Sequence, residues 1–193
     1  MPGADPGLPH VLTPEQACAG KRPPGPRVVV YDTDGYYVAP GVAELLATDG
    51  FEVTVVTTFN VLSPVSDETL EGDMLRAHVH RAGVSVCHGT TITGIGTGSV
   101  TGHDRYGEPW SAGCDGIVLV TQQAAQDTLY RELASDEAAL TAAGIGGLYR
   151  IGDAVAPRMI SEAIFDGHRL AREIDQKDPG NPLPYRRERA DLA

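Results

Sequence analysis

The sequence predicts an α/β fold in which a parallel sheet is interrupted by a small antiparallel β-meander. Apolar runs such as residues 28–31 lack the alternation of a half-exposed strand, which indicates strands buried on both faces. Helix-forming segments separate these runs over residues 27–82, so the connections are those of a parallel sheet. Residues 84–111 are β-prone and punctuated by glycine, which is typical of short hairpins.

Residues 1–26 precede the first buried run, and their seven prolines predict an extended N-terminal arm or linker. A disordered tail and a linker left over from a larger ancestor are both open interpretations of this arm. Within it, Thr13 is suited to cap a short helical turn that begins with Pro14. We expect ordered structure to begin at Arg27.

A βαβ unit follows the arm. Residues 28–31 form a strand, residues 42–46 have helical composition, and residues 53–57 form a second, β-branched strand. Strand, helix and strand within about 30 residues make a Rossmann-like parallel sheet. An amphipathic helix over residues 70–82 comes next and ends at Gly83.

The remaining segments complete the predicted fold. The antiparallel meander is predicted from four short segments: 84–86, 90–95, 98–103 and 108–111. The later elements are a buried parallel strand, a helix, a last short strand and a final helix, over residues 117–121, 127–143, 148–151 and 159–174. A polar tail over residues 176–193 contains Arg186, Arg187 and Arg189, and it has two open interpretations: a solvated tail, or one that docks on an acidic partner surface.

Composition excludes several classes of function. Lys and Arg number 15 against 26 Asp and Glu, so the net charge of −11 argues against a nucleic-acid binder and against an anionic membrane surface. No apolar run reaches the ~18 residues that span a bilayer, and the N-terminus lacks the pattern of a secretion signal. Three widely spaced cysteines without a CxxC pair suit a reducing compartment, so we expect a cytoplasmic protein. The spacing of the histidines predicts no metal site.

Several segments resemble the C-terminal region of the trimethylamine and dimethylamine dehydrogenase type of iron–sulfur flavoproteins. They are residues 11–15 (VLTPE), 28–37 (VVVYDTDGYY), 114–121 (CDGIVLVT), 151–157 (IGDAVAP) and 163–171 (AIFDGHRLA). The resemblance implies that residues 27–149 form a degenerate NAD(P)-domain-like module. It implies that residues 150–175 are the closing strand and helix of a second, FAD-like half.

The first βα turn lacks the chemistry of a dinucleotide site. A GxGxxG turn brings backbone N–H groups close to the pyrophosphate, but here Asp32, Asp34 and Tyr37 stand at about those positions. Like charges about 4 Å apart repel by about 1 kcal/mol in water and by more when partly buried. The second strand ends in Thr57 and Thr58 instead of an acid for the ribose. We therefore predict a dinucleotide fold that binds no dinucleotide. The competing interpretation, acid–base catalysis by Asp32 and Asp34, lacks a visible nucleophile or metal partner.

The resemblance implies a cofactor-binding turn at Gly152, Asp153 and Ala154. In such flavoproteins a Gly-Asp after the last strand binds ribityl or ribose hydroxyls, and the following helix start receives a phosphate. The alternative is that Asp153 only caps the final helix, with Pro157 in its first turn. Even as a functional turn it is half a site, so FAD or ADP would be shared with a partner chain.

We therefore expect an accessory, non-catalytic subunit of a multi-chain, flavin-dependent amine dehydrogenase or demethylase, with roles in assembly and nucleotide capping. The resemblance implies a larger barrel subunit that carries FMN and a 4Fe-4S cluster, because the sequence contains neither the barrel nor the Cys-rich cluster motif. An electron-transfer protein is a further candidate partner. Two alternatives remain open: a stand-alone protein-binding scaffold with an inactive dinucleotide fold, and a small NAD(P)H-binding reductase.

Overall fold

The computed structural model describes residues 1–181. Two compact units divide the chain, the first spanning Met1–Gln122 and the second beginning at Gln123. The first unit contains a five-stranded sheet and a three-stranded sheet. The strands are β1 Val11–Leu12, β2 Arg27–Asp32, β3 Glu52–Thr57, β4 Ser85–Cys87, β5 Thr90–Ile95, β6 Ser99–Asp104, β7 Pro109–Gly113 and β8 Gly116–Val120. The α-helices are α1 Pro14–Cys18, α2 Val38–Thr48, α3 Gly72–Arg81, α4 Thr128–Ala134, α5 Glu137–Ala142 and α6 Ile160–Glu173.

The five-stranded sheet is parallel, in the order β1-β8-β2-β3-β4. Its central strand β2 alternates between two cores because successive side chains point to opposite faces. Val28 and Val30 pack with Leu46 of α2, whereas Val29 and Tyr31 pack with residues of the antiparallel meander. The predicted burial of this strand on both faces is therefore confirmed, and the α/β fold with its two kinds of sheet is as predicted.

The N-terminal arm is part of the parallel sheet. Val11 and Leu12 are fully buried, and they pair with Ile117 and Val118 of β8. The expectation that order begins at Arg27 was wrong, because a two-residue strand carries too little periodicity to be read from sequence. The predicted cap is confirmed: the Thr13 hydroxyl accepts a hydrogen bond from the Gln16 N–H at 3.2 Å, and the Gln16 side chain accepts one from the Thr13 N–H at 3.1 Å.

One strand predicted in the meander belongs to the other sheet. Residues 84–86 were expected to be antiparallel, but Ser85–Cys87 forms the parallel edge strand β4 beside β3, with Val86 opposite Val55. The reason is the helical crossover α3, which returns the chain in the same direction as β3. The meander therefore has three strands, β5, β6 and β7, all antiparallel.

The second unit departs most from the prediction. Two short helices, α4 and α5, replace the single helix expected over 127–143, because the Asp136 carboxylate accepts the Ala139 N–H at 2.9 Å and starts a new helix. Helix α6 is close to the expected span. The expected strand at 148–151 is absent from the part of the chain that the structure describes, because no strand lies beside it there to pair with. The arginines at 186, 187 and 189 lie outside the described residues.

Few side chains of the second unit are covered. From Gln123 to Asn181, no Ala, Val, Leu, Ile, Met, Phe or Tyr side chain is buried. Several large apolar side chains are instead exposed, with Ile160 at 75%, Phe165 at 67% and Ile164 at 56%. This contrasts with the first unit, whose two apolar clusters account for the buried core. Within residues 1–181, no helix combines the length and the apolar character needed to cross a membrane.

Candidate functional site

The turn after β2 lies where parallel α/β sheets bind ligands, at the carboxyl end of the central strands. Asp32 is the last residue of β2 and pairs in register with Thr57, the last residue of β3. Both residues are completely buried. The two positions that sequence analysis selected are therefore adjacent, and they face each other across the end of the sheet.

The Asp32 carboxylate turns back onto its own loop. Its Oδ1 accepts hydrogen bonds from the backbone N–H groups of Asp34 at 3.1 Å and Gly35 at 2.9 Å. Its Oδ2 accepts the hydroxyl of Thr57 at 2.9 Å. Burial raises the pKa of the Asp32 carboxyl above its ordinary value, and these three hydrogen bonds oppose that rise. The backbone N–H groups of this loop are thus hydrogen-bonded to the chain's own Asp32 carboxylate.

Asp34 has a different environment from Asp32. It is exposed to solvent, whereas Asp32 is buried. General acid–base catalysis needs both groups within reach of one substrate. The divergent placement gives no support to the competing interpretation that the two carboxylates act as a catalytic pair.

Phe59 lies beside the turn, and no pattern in the sequence predicts this contact. Gly35 has φ +74°, and a Cβ built on it would lie 2.7 Å from Cε2 of Phe59. The Gly35 carbonyl accepts the Val65 N–H at 3.0 Å. Gly35 is required here both by its positive φ and by the close approach of the ring.

The second predicted site, the turn Gly152–Ala154, is one turn of 3₁₀-helix held against α6. Gly152 is buried with φ +57°, and a Cβ on it would lie 3.3 Å from the Ala163 Cβ. The Gly152 N–H donates to Oδ2 of Asp166 at 3.1 Å, and the same oxygen accepts the Arg158 guanidinium at 2.6 Å. Sequence reasoning missed Asp166 and Arg158. The spacing of Ala163 and Asp166, three apart on one helix, is the signal that could have indicated Asp166, whereas Arg158 precedes the helix and no spacing signal indicates it.

Asp153 does not cap the final helix, so that alternative was wrong. Helix α6 begins seven residues later, at Ile160, and its N-cap is Met159. The exposed Asp153 carboxylate accepts only the Arg158 N–H at 3.3 Å among the described residues. It can therefore still accept hydrogen bonds from the hydroxyls of a ribose or ribityl chain. The Gly152 N–H is already used by Asp166, so this group does not fit a phosphate in the described arrangement. Ala154 is half-buried.

A half-open cleft of about 310 Å³ lies between α3, β4 and the segment 60–62. Its floor is apolar, with Leu62 and Val79 both buried, and its rim includes Arg76, His80 and His88. Arg76 is already paired with Asp67 and Asp73 at 2.6 and 3.0 Å. Within residues 1–181, no group of three or more His, Cys, Asp and Glu side chains is arranged to hold a metal ion.

Comparison with known proteins identifies the family. The family described as "OYE-like second alpha/beta domain" matches this chain over residues 12–134, which is more than half of its length. The chain belongs to this OYE-like family. The match begins at Leu12, in agreement with the structure, where β1 is already part of the sheet.

Its relatives within flavin oxidoreductases are amine dehydrogenases and oxidases. This OYE-like chain is 41% identical, over an alignment of 207 positions, to dimethylamine dehydrogenase from Hyphomicrobium sp. (strain x), an alignment that covers 97% of the chain and 28% of the relative. The structure of histamine dehydrogenase from Rhizobium sp. 4-9 matches with a TM-score of 0.86 at 35% identity, over 98% of this chain and 29% of that one. For 6-hydroxypseudooxynicotine amine oxidase from Pseudomonas geniculata N1 the TM-score is 0.77 at 39% identity, over 86% and 24%. The predicted resemblance is confirmed. The OYE-like chain spans less than a third of the length of these relatives.

Proposed function

We propose that this OYE-like chain is an accessory, non-catalytic subunit of a flavin-dependent amine dehydrogenase or demethylase. In this proposal a larger polypeptide supplies the barrel, the FMN and the 4Fe-4S cluster, and an electron-transfer protein accepts the electrons. The observation that carries the proposal is the uncovered apolar surface of the second unit. The identity to dimethylamine dehydrogenase supports the class of reaction.

Helix α6 has the pattern of a helix that packs against a sheet. Ile160, Ile164 and Ile174 lie on one stripe of the helix and are 75%, 56% and 51% exposed. The adjacent side of the helix contacts the turn at Gly152 through Ala163 and Asp166, which leaves the isoleucine stripe uncovered. Contiguous apolar surface of this kind marks an interaction site. We take its occupant to be the FAD-like half of the larger subunit.

The segment 148–151 supports the same occupant. It is β-prone in sequence and precedes a helix, as strands of a parallel sheet do, but it pairs with no strand among residues 1–181. Arg150 holds it in place by an ion pair with Asp127 and by its guanidinium, which lies 5.1 Å from the centre of the Tyr130 ring. An ordered but unpaired segment of this kind is suited to add a strand to a sheet of the partner.

With the partner docked on this surface, the turn Gly152–Ala154 would help to bind the nucleotide cofactor. Asp153 would accept hydrogen bonds from hydroxyls of an FAD or ADP bound mainly by the partner, and Gly152 and Ala154 would shape the turn beside it. The flavin would supply the redox chemistry. This chain's own residues would position the nucleotide end and exclude water from it.

Native mass spectrometry of the protein, purified untagged from its natural source, tests the proposal. We expect a complex of the 20.4 kDa chain with a larger chain that carries flavin absorbance and iron. An Ile164→Ser variant should lose that complex, because a buried isoleucine contributes about 1.5–3 kcal/mol. Met74→Ser, at a helix position of similar exposure, 53%, should keep it.

Three outcomes would contradict the proposal in different ways. A lone chain or homodimer without nucleotide favours the scaffold alternative. A single longer polypeptide that contains this sequence refutes a separate subunit but not the family. Binding of NADH by the isolated chain favours the small reductase.

A further inference from the structure

We infer that Asp32 is the residue that closes this dinucleotide-type turn to ligands. Its buried carboxylate occupies the backbone donors that a nucleotide-binding turn gives to phosphate. The inference goes beyond the proposed function and does not depend on it, because it concerns only the first unit.

The hydrogen-bond pattern at Asp32 is that of a bound anion. Turns that bind phosphate direct successive backbone N–H groups at its oxygens. Here the N–H groups of Asp34 and Gly35 converge on Oδ1 of Asp32, at 3.1 and 2.9 Å. The Thr57 hydroxyl donates to Oδ2 at 2.9 Å. All three partners are donors, which suits an acceptor-only carboxylate.

Asp32 differs from Asp34 in the hydrogen bonds that it accepts from the turn and not in its charge. Repulsion of phosphate would come from Asp32 and Asp34 alike, since both carry a carboxylate in the same loop. Only Asp32 is buried and bonded to the donors of the turn, whereas Asp34 is exposed. Removing the charge of Asp34 therefore leaves the turn closed, while removing the Asp32 side chain frees the donors.

Thr57 and Phe59 set the class of ligand that an opened turn would take. Thr57 stands where an acid would bind the ribose, and its hydroxyl is used to hold Asp32. The Phe59 ring contacts Gly35 and fills the space next to the turn. The freed donors are two backbone N–H groups, and a small phosphate-type anion is the class that fits them without needing space on the Phe59 side of the turn.

Calorimetric titration of inorganic pyrophosphate into the full chain tests this inference. We expect Asp32→Gly to bind at least about tenfold tighter than the wild type, because each charged hydrogen bond regained corresponds to about tenfold in the dissociation constant. Asp32→Asn should resemble the wild type, because its amide oxygen still accepts from both N–H groups. Asp34→Asn is the matched control for charge and should also resemble the wild type.

Several results would overturn the inference. The inference is wrong if a folded Asp32→Gly variant binds pyrophosphate no more tightly than the wild type does. It is also wrong if Asp34→Asn increases the affinity for pyrophosphate as much as Asp32→Gly does, or if the wild type already binds as tightly as Asp32→Gly. If Asp32→Gly fails to fold by circular dichroism, NMR of the wild type decides. The amide resonances of Asp34 and Gly35 should then titrate together with one carboxyl group and stay unmoved by pyrophosphate. A shift of these resonances on adding pyrophosphate refutes the closed turn.

Discussion

Gly35→Ala should destabilise the first unit by about 2–5 kcal/mol. Two costs add at this position. A non-glycine residue at φ +74° costs about 1–2 kcal/mol. The new Cβ would also lie 2.7 and 2.9 Å from two Phe59 ring carbons, and overpacking of this kind costs about 1–3 kcal/mol. The ring and the loop must move apart, which also weakens the hydrogen bond from the Gly35 N–H to Asp32.

Gly50→Ala is the matched control, because it isolates the backbone cost. Gly50 has φ +91° at the end of α2, and nothing lies within 4 Å of its Cβ position. We expect a loss of only about 1–2 kcal/mol there. Urea denaturation followed by the fluorescence of Trp110, in the first unit, measures both variants. With a slope of about 2 kcal/mol per molar urea, the extra loss at Gly35 shifts the midpoint by about 0.5–1.5 M. Equal midpoints for the two variants would refute the reasoning about Phe59.

Three further predictions concern the first unit. Leu12→Ala should lower the free energy of unfolding by about 2–5 kcal/mol in urea, because this side chain is fully buried in β1; a loss below about 0.5 kcal/mol would contradict its place in the sheet. Thr13→Ala should cost about 1 kcal/mol by the same measurement, since it removes the cap of α1, whereas Thr13→Ser should be nearly neutral. Because the pKa of Asp32 is raised in the folded state, the native protein holds that proton more tightly. The protonated Asp32 carboxyl therefore adds its full share to the free energy of unfolding below the ordinary carboxyl pKa of about 4. That share is lost as the pH rises through the raised pKa of the folded state. Asp32→Asn should remove that slope from a plot of unfolding free energy against pH, and an unchanged slope would refute the assignment.

The sequence pattern of a segment was sufficient to predict a strand and its burial where these depend only on the residues of that segment. The run at 28–31 predicted a strand covered on both faces, and the two clusters around Val28 and Val29 confirm it. Ser85–Cys87 was placed in the wrong sheet because three residues have no periodicity, and the partner strand is chosen by the crossover before it. The segment 148–151 has strand propensity, but a strand exists only with a partner to pair with.

At the candidate site, too, the sequence predicted which residues are unusual but not how their side chains are arranged. Sequence analysis correctly singled out Asp32 and Asp34 as the residues that depart from a glycine-rich turn. It could not predict that one carboxylate folds inward and the other remains exposed, because that depends on the hydroxyl of Thr57 from the next strand. Likewise, Asp153 was selected, while Asp166, which bonds the Gly152 N–H, is fourteen residues from that glycine and was not.

The two turns share a chemical device that bears on what this chain can bind. In each, a glycine with positive φ gives its N–H to an aspartate of the chain, Gly35 to Asp32 and Gly152 to Asp166. An incoming phosphate must compete with an internal carboxylate for these donors, whereas a hydroxyl group can still donate to the exposed Asp153. Each unit therefore disfavours the charged part of a nucleotide at its glycine. For the second unit, this leaves hydroxyl recognition and its exposed apolar surface as the chemistry available to the partner subunit that we propose, which would have to bring its own phosphate site.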